Sequence, residues 1–300
     1  MDVFTHALTA GLLACALNLP QLVPFIVLGA VIADTDILFG WIADRSPSRY
    51  LFTHGGLFHS IAGAVILSVI AWTAASVVLT TGQIHAGLPV PSAPVAFTAI
   101  LAGALLHNGL DILAVPGLPL LAPFSDKKYT AGLLPGPSIF LMGVSLFCIL
   151  LAGPGGVGLT ALLLPYTAVF AAFLAVRCTS FCIARTALQG RGRAIPRISP
   201  FRWLVIGETP EAWTVSEYRI GKGMGEPESF LKYRSTSAGE IAPFLMLPEV
   251  KRLRFHSYIV IAEKVGDGII FSDPLRESGR IFYPPHYKRV TVPLAGVTSS

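Results

Sequence analysis

Seven side chains able to ligate a metal stand in a part of the chain that is otherwise apolar: His6, Asp34, Asp36, His54, His59, His107 and Asp111. Imidazole nitrogens mixed with carboxylate oxygens suit Zn²⁺, and also Mn²⁺ or Fe²⁺, whereas an all-oxygen set would suit Mg²⁺ better. Taken singly, each has an ordinary explanation, Asp34 as a helix cap, His6 as an interfacial residue, Asp36 as a loop carboxylate. Their spacing says more. His107 and Asp111 lie four apart in an apolar segment, so on a helix they share one face, a turn apart. They form either a ligand pair or a structural hydrogen-bonded pair, and Asn108 adds a donor beside them. Ionisable groups in such segments usually face a partner or a functional cavity.

The run A-D-T-D at 33–36 puts two carboxylates two residues apart at the end of an apolar stretch, suited to holding a divalent ion or orienting its water. T-H-G-G-L-F-H-S at 53–60 then supplies two imidazoles just before the next apolar run. Gly55 and Gly56 permit unusual or close backbone approach, and Thr53 and Ser60 offer hydroxyls to a ligand or a phosphate oxygen. Seven donors exceed one four-coordinate site. They imply two adjacent ions, or one ion with a general base and supporting groups. The expected cofactor is a divalent metal, Zn²⁺ first, and the expected chemistry is attack of metal-activated water on phosphorus or a carbonyl. Asp34, Asp36 and His59 are the candidates for a direct part in that reaction.

Elements that position these groups must be sought in lipid. Residues 1–180 carry five Lys/Arg and six Asp/Glu, while 181–300 carry seventeen and eleven, giving the whole chain a net charge of +5. Such a scarcity of charge, with a mean hydropathy of +0.66 overall, fits a polytopic membrane domain rather than a water-soluble surface. Residues 60–81, 95–115, 136–153 and 157–176 approach spanning length, and GPGG at 153–156 makes a tight turn between the last two. The opening M-D-V-F-T-H lacks the basic start and cleavage site of a secretory signal, so the first apolar segment is expected to stay. Pro20 and Pro24 interrupt that segment, 7–33. It reads as one kinked span or as two half-helices returning to the same side. The second, a re-entrant hairpin, is favoured because it brings His6 towards the other polar groups.

Four alternating crossings gather Arg45, Arg49, Lys127, Lys128 and Arg177 on one side, and the opposite loops 82–94 and 153–156 have no Lys or Arg. The positive-inside rule then places 34–59, 116–135 and the tail in the cytoplasm, in a multi-pass protein of the cell membrane. His85 reads as a loop residue, and the P-L-L-A-P-F run at 119–124 as a segment able to shape the mouth of the site. Cys15, Cys148, Cys178 and Cys182 read as packing residues, without a second thiol pair to make a zinc cluster.

The ordered combination of M-D-V-F-T-H, A-D-T-D, T-H-G-G-L-F-H-S and H-N-G-L-D at 107–111 resembles the YdjM-like family of membrane-bound metal-dependent hydrolases. The likeness covers about residues 1–180. It implies that His6, Asp34, Asp36, His54, His59, His107 and Asp111 are the metal-site residues. Gly55 stands where many members have an arginine, which bears on substrate choice if that arginine binds an anion.

Residues 181–200 read as a basic juxtamembrane linker, with Arg185, Arg191, Arg193 and Arg197 facing anionic headgroups. Residues 201–300 read as a small β-rich soluble domain, with strands in FRWLVIGE, AWTVSEYRI, FLKYRS, FHSYIVIAEK, GIIFSDP and IFYPPH, and a G-D-G hairpin turn at 266–268. Its aromatics Trp203, Trp213, Tyr218, Tyr233, Phe255 and Tyr258 suit a core or sheet face better than a nucleic-acid platform. His256 and His286 lack a ligand cluster. The resemblance adds that long members carry a comparable tail, with a segment like Pro200–Glu208. Three functions compete: a hydrolase at the cytoplasmic membrane surface acting on phospholipid or another amphiphilic phosphate ester, a metal or ion transporter, and a binding protein braced by a structural metal. Membrane lipids are the expected partners, and nucleic acid is not.

Overall fold

In the computed structural model, Asp2 opens the first helix: its Oδ1 accepts a hydrogen bond from the Thr5 backbone N at 3.0 Å, capping α1 (Val3–Ala16). The structure describes residues 1–80, 91–281 and 287–294. Asn18, at φ 57°, turns the chain, and Pro20 begins a 3₁₀ turn, Pro20–Leu22. Pro24 sits in the first turn of α2 (Val23–Ile32), where a missing N–H costs nothing. The two prolines therefore separate a pair of short helices rather than kink one long one. Ala10 and Ala14 of α1 pack with Leu22, Ile26 and Ala30 in a core of small residues, so α2 lies back against α1 as a helical hairpin.

The 3₁₀ stretch Ala33–Phe39 carries Asp34 and Asp36 and leads into α3 (Gly40–Arg45). Two more 3₁₀ turns, Pro47–Phe52 and Leu57–His59, precede α4 (Ile61–Thr80). Then come α5 (Ala93–Asp111), α6 (Ile139–Ala152) and α7 (Leu159–Leu188). Pro20–Arg45, Ile61–Val78, Ala93–Asp111 and Leu159–Leu188 are long and apolar enough to cross a membrane. The expected span at 136–153 is corrected by this: its helix has 14 residues, about 21 Å at 1.5 Å per residue, against a hydrocarbon core of about 30 Å. The last apolar segment runs past its expected end at 176, through Arg185 to Leu188. Large apolar side chains point outward along α4 and α7, among them Ile66, Ile70 and Leu164, as lipid-facing helices require.

Contacts divide the chain into two compact units, one of 1–41, 51–182 and 196–200, the other of 42–50, 183–195 and 201–300. In the first, α1 is the central element. One side packs on α2 and α5, while Leu8 and Leu12 on the other meet Cys148 of α6 and Leu162 and Tyr166 of α7. Helices α2 and α5 approach closely because glycine faces backbone on each. A Cβ on Gly29 would lie 1.9 Å from the Ile100 carbonyl oxygen, and one on Gly103 would lie 2.0 Å from that of Ile26. Small residues at such crossings let helices associate where no hydrophobic driving force exists.

In the second unit, β1 (Arg193–Pro196), β2 (Arg202–Glu208), β3 (Ala212–Arg219), β4 (Gly223–Met224) and β5 (Glu228–Leu231) form one sheet, with β4 and β5 both pairing β3. A second sheet has the order β6 (Tyr233–Arg234), β7 (Ile261–Val265), β8 (Gly268–Ser272) and β9 (Arg289–Pro293). The G-D-G turn does join a hairpin, with Val265 opposite Gly268. Two strand expectations change. FLKYRS divides between the two sheets at Lys232, and the start of FHSYIVIAEK is the end of a helix. That helix, α9 (Pro248–His256), follows α8 (Ala238–Ile241), which Ser237 and Glu240 open with a reciprocal capping box. Val250 and Leu253 of α9 fill the core with Ile269 and Phe271 of β8. Asp273 caps α10 (Pro274–Glu277) and pairs with buried Arg276. Trp203 is fully buried, and Trp213 donates its indole N–H to the Val260 carbonyl. His85, most of the 82–94 loop and the IFYPPH residues from Phe282 to His286 lie outside the described residues.

Replacing Gly103 by Val should wedge α2 from α5 and lower stability by about 1–3 kcal/mol or more. Thermal unfolding of the purified protein in detergent reads this directly. An unchanged midpoint would mean that the close crossing is not needed.

Candidate metal centre

All seven predicted residues lie in the first unit and come together. They arrive from four places: His6 on α1, Asp34 and Asp36 on the stretch after α2, His54 and His59 from the turns before α4, and His107 and Asp111 at the end of α5. Because α1 and α2 fold back on each other, the start of one and the end of the other reach the same point. Three overlapping groups result: His6, His107 and Asp111; Asp34, His59 and His107; Asp36, His54 and His59.

Two imidazole nitrogens at the centre each face the same two carboxylate oxygens. His107 Nε2 lies 3.7 Å from Asp34 Oδ1 and 3.3 Å from Asp111 Oδ2. His59 Nε2 lies 3.7 Å from the same Asp34 oxygen and 3.6 Å from the same Asp111 oxygen. Donors about 2.0–2.1 Å from a tetrahedral ion stand roughly 3.3–3.4 Å apart, so these separations fit a divalent cation with little adjustment. Nε2 of both histidines is buried without a well-aligned hydrogen bond among the described residues. Leaving such nitrogens unsatisfied is costly, and a metal would satisfy both. Net negative charge from Asp34, Asp36 and Asp111 in one apolar setting argues the same way.

The surrounding groups orient the inner four. His107 Nδ1 is 2.7 Å from the Ala30 carbonyl, to which it donates, leaving its Nε2 lone pair for the centre. The tight crossing at Gly29 brings that carbonyl within reach. Asp36 stands behind His59, its Oδ2 3.0 Å from His59 Nδ1, and also accepts from the Gly55 backbone N at 3.1 Å. Its Oδ1 pairs with His54 Nδ1 at 2.7 Å. Gly55 has φ 72°, a left-handed conformation that glycine adopts freely and that turns its N–H towards Asp36. His6 Nε2 lies 3.1 Å from Asp111 Oδ1, and its ring stacks on His107 at 3.8 Å. The Met1 amino nitrogen also contacts Asp111 Oδ1.

The centre has an open edge. His6, His59 and His107 are fully buried, but the Asp34 side chain is 21% exposed and that of His54 36%. The 119–124 run lies near this region, with the Leu120 carbonyl accepting from the Ile61 N at 3.0 Å.

A buried chain of hydroxyls, not anticipated from the sequence, anchors the start of α1. Thr5 Oγ1 donates to Asp2 Oδ2 at 2.7 Å and lies 3.1 Å from Ser145 Oγ on α6. Ser145 is 3.0 Å from Tyr166 OH on α7, which is 3.4 Å from Thr9 Oγ1. With the Thr5 hydrogen committed to the carboxylate, Thr5 accepts from Ser145 and Ser145 accepts from Tyr166. This ties three helices together beside His6. An Asp just before an apolar helical run is a capping signal that could have marked Asp2, whereas lone hydroxyls at 145 and 166 give no pattern in a sequence.

His107→Ala should lose stoichiometric divalent metal, and Asp36→Asn should weaken its retention by about 10–100-fold. Elemental analysis and chelator competition on purified protein measure both. Full metal content in His107→Ala would remove this residue from the centre.

Over residues 1–183 the chain matches a family model described as YdjM inner membrane protein. No curated protein and no solved structure matches it. The matched region contains every one of the seven donors and all four apolar helices long enough to cross a bilayer except the last five residues of α7. The chain is therefore a membrane protein belonging to the YdjM inner membrane protein family.

Proposed function

We propose that this chain is a divalent-metal-dependent hydrolase acting at the cytoplasmic membrane surface on phospholipid or another amphiphilic phosphate ester. The observation that carries the reading is the four-donor cluster of Asp34, His59, His107 and Asp111 beside an exposed edge. A metal that merely braced helices would be expected to sit in a closed site. Transport is less well supported, because the donors gather at the ends of α2 and α5 and the start of α1 rather than along a path.

Asp34, His59, His107 and Asp111 would hold the ion, with Zn²⁺ the best fit to the donor types. When bound, it supplies Lewis acidity towards a phosphoryl oxygen and makes water a stronger nucleophile. His54 stands at the open edge with Nδ1 held by buried Asp36. The His54 imidazole would take up the proton released by the attacking water and return it to the leaving oxygen, with Asp36 steadying the imidazolium. Asp36 and His59 thus act as a linked pair, the carboxylate orienting both imidazoles. His6 fixes the second oxygen of Asp111 and keeps the first turned to the centre.

An amphiphilic substrate is favoured by the apolar side chains that follow the two aspartates. Ile37, Leu38 and Trp41 are exposed, as residues at a lipid interface are. Arg45, Arg49, Lys127 and Lys128 fall in segments flanking the site end of the helices, which supports a cytoplasmic position.

Purified protein should release phosphate or alcohol from short-chain phospholipids or simple phosphate esters, and a chelator should abolish this. His54→Ala should keep its metal and lose about 10²–10⁴-fold in kcat. Activity persisting after verified metal removal would overturn the proposal. Metal uptake into sealed vesicles without any ester cleavage would replace it with transport.

A further inference from the structure

The strongest feature outside the metal centre is a cavity of about 560 Å³ on the first unit, between α6, α7 and residues 196–200. Its walls are apolar, including Pro135, Ile139, Phe140, Val169, Phe173 and Ile198. One charge lines it, Arg177. That residue is only 4% exposed. Its Nη1 donates to the Arg197 carbonyl at 2.9 Å and its Nη2 to the Ile198 carbonyl at 2.6 Å. Its Nε is buried with no hydrogen-bond partner, and no carboxylate pairs with the guanidinium among the described residues. Carbonyl dipoles hold the group in place without neutralising it. A buried cation without a counter-ion is costly, and here the missing anion has an apolar slot beside it.

Position identifies the occupant. Arg177 lies 18 residues beyond Leu159 on α7, about 27 Å along the helix, close to the roughly 30 Å depth of a bilayer's hydrocarbon. The guanidinium thus stands at headgroup level while the cavity extends along the membrane-facing sides of α6 and α7. Phe173, which shares this wall, packs on its inner side against the cluster of Met1, Leu110 and Leu141, so the cavity is separated from the donors by side chains.

We propose that this cavity binds one anionic phospholipid, its phosphate paired with Arg177 and an acyl chain against α6 and α7. The site is a resident-lipid site, distinct from the metal centre, and does not depend on the hydrolase reading. A zwitterionic lipid presents the same chains but no net charge, so Arg177 should set the preference. Arginine is suited to this because its planar fork stays charged and matches phosphate oxygens.

Native mass spectrometry of the full chain in detergent, incubated with dioleoylphosphatidylglycerol or dioleoylphosphatidylcholine, tests it. The wild type should retain one phosphatidylglycerol at least tenfold more strongly than phosphatidylcholine, and glycerol phosphate alone should not compete. Arg177→Gln should abolish that preference. Ala172→Trp, which fills the exposed cavity wall and leaves Arg177 in place, should reduce retention of both lipids. Circular dichroism and metal content checked in parallel should match the wild type. An unchanged preference in Arg177→Gln, unchanged retention in Ala172→Trp, or displacement by glycerol phosphate would each overturn the proposal.

Discussion

Carboxylates inside an apolar helical bundle are the constraint from which most of this structure follows. Asp36 is completely buried, and Asp34 and Asp111 are mostly so. Each would be costly alone, so each is met by several donors: imidazoles from three separate segments, a backbone N–H from Gly55 and an amino nitrogen from Met1. Satisfying three carboxylates at one point demands that remote pieces of chain arrive there together. The turn at Asn18–Leu22, the 3₁₀ geometry at 33–39 and the short turns at 47–59 all serve that convergence.

Precision then comes from close helix packing. Glycine at 29 and 103 lets α2 and α5 meet backbone to backbone, and the same contact delivers the Ala30 carbonyl to His107. On the other side of α1, the hydroxyls of Thr5, Ser145 and Tyr166 bind its first turn to α6 and α7. In lipid, where apolar contact distinguishes poorly between neighbours, such polar links give a helix one preferred rotation. His6 is thus held from both sides of the helix that carries it.

Two kinds of buried polar group behave differently here. Around the metal centre, acids and imidazoles answer one another and leave a few nitrogens directed at a common point. At Arg177 a single cation is held by two carbonyls and the ring of Phe173, 5.6 Å away, beside an apolar cavity. Both leave buried nitrogens without a hydrogen-bond partner among the described residues, Nε2 of His59 and His107 in one and Nε of Arg177 in the other. In the second unit, by contrast, the buried Asp273–Arg276 pair completes itself and caps a helix, as a structural ion pair does.

Much of this was legible in the residues. Low charge density and apolar runs identify a membrane domain, and the His and Asp spacings select the seven donors that do assemble. The alternating tail announces strands, and G-D-G its hairpin. Reading failed where local pattern is silent or shared. Residues 136–153 are apolar enough to suggest a span, yet the helix within them is too short, because Ser138 caps it late and Gly153 ends it early. The helix at 248–256 carries charges and aromatics that also suit a strand, and its burial against β8 decided the matter. The sequence by itself determined which side chains can bind metal and that they sit among lipid-soluble helices. Only tertiary structure decided how closely those side chains meet, because that depends on separations between segments up to 105 residues apart. Chain-local spacing places donors on a helix face, but only packing sets the distances across which they meet.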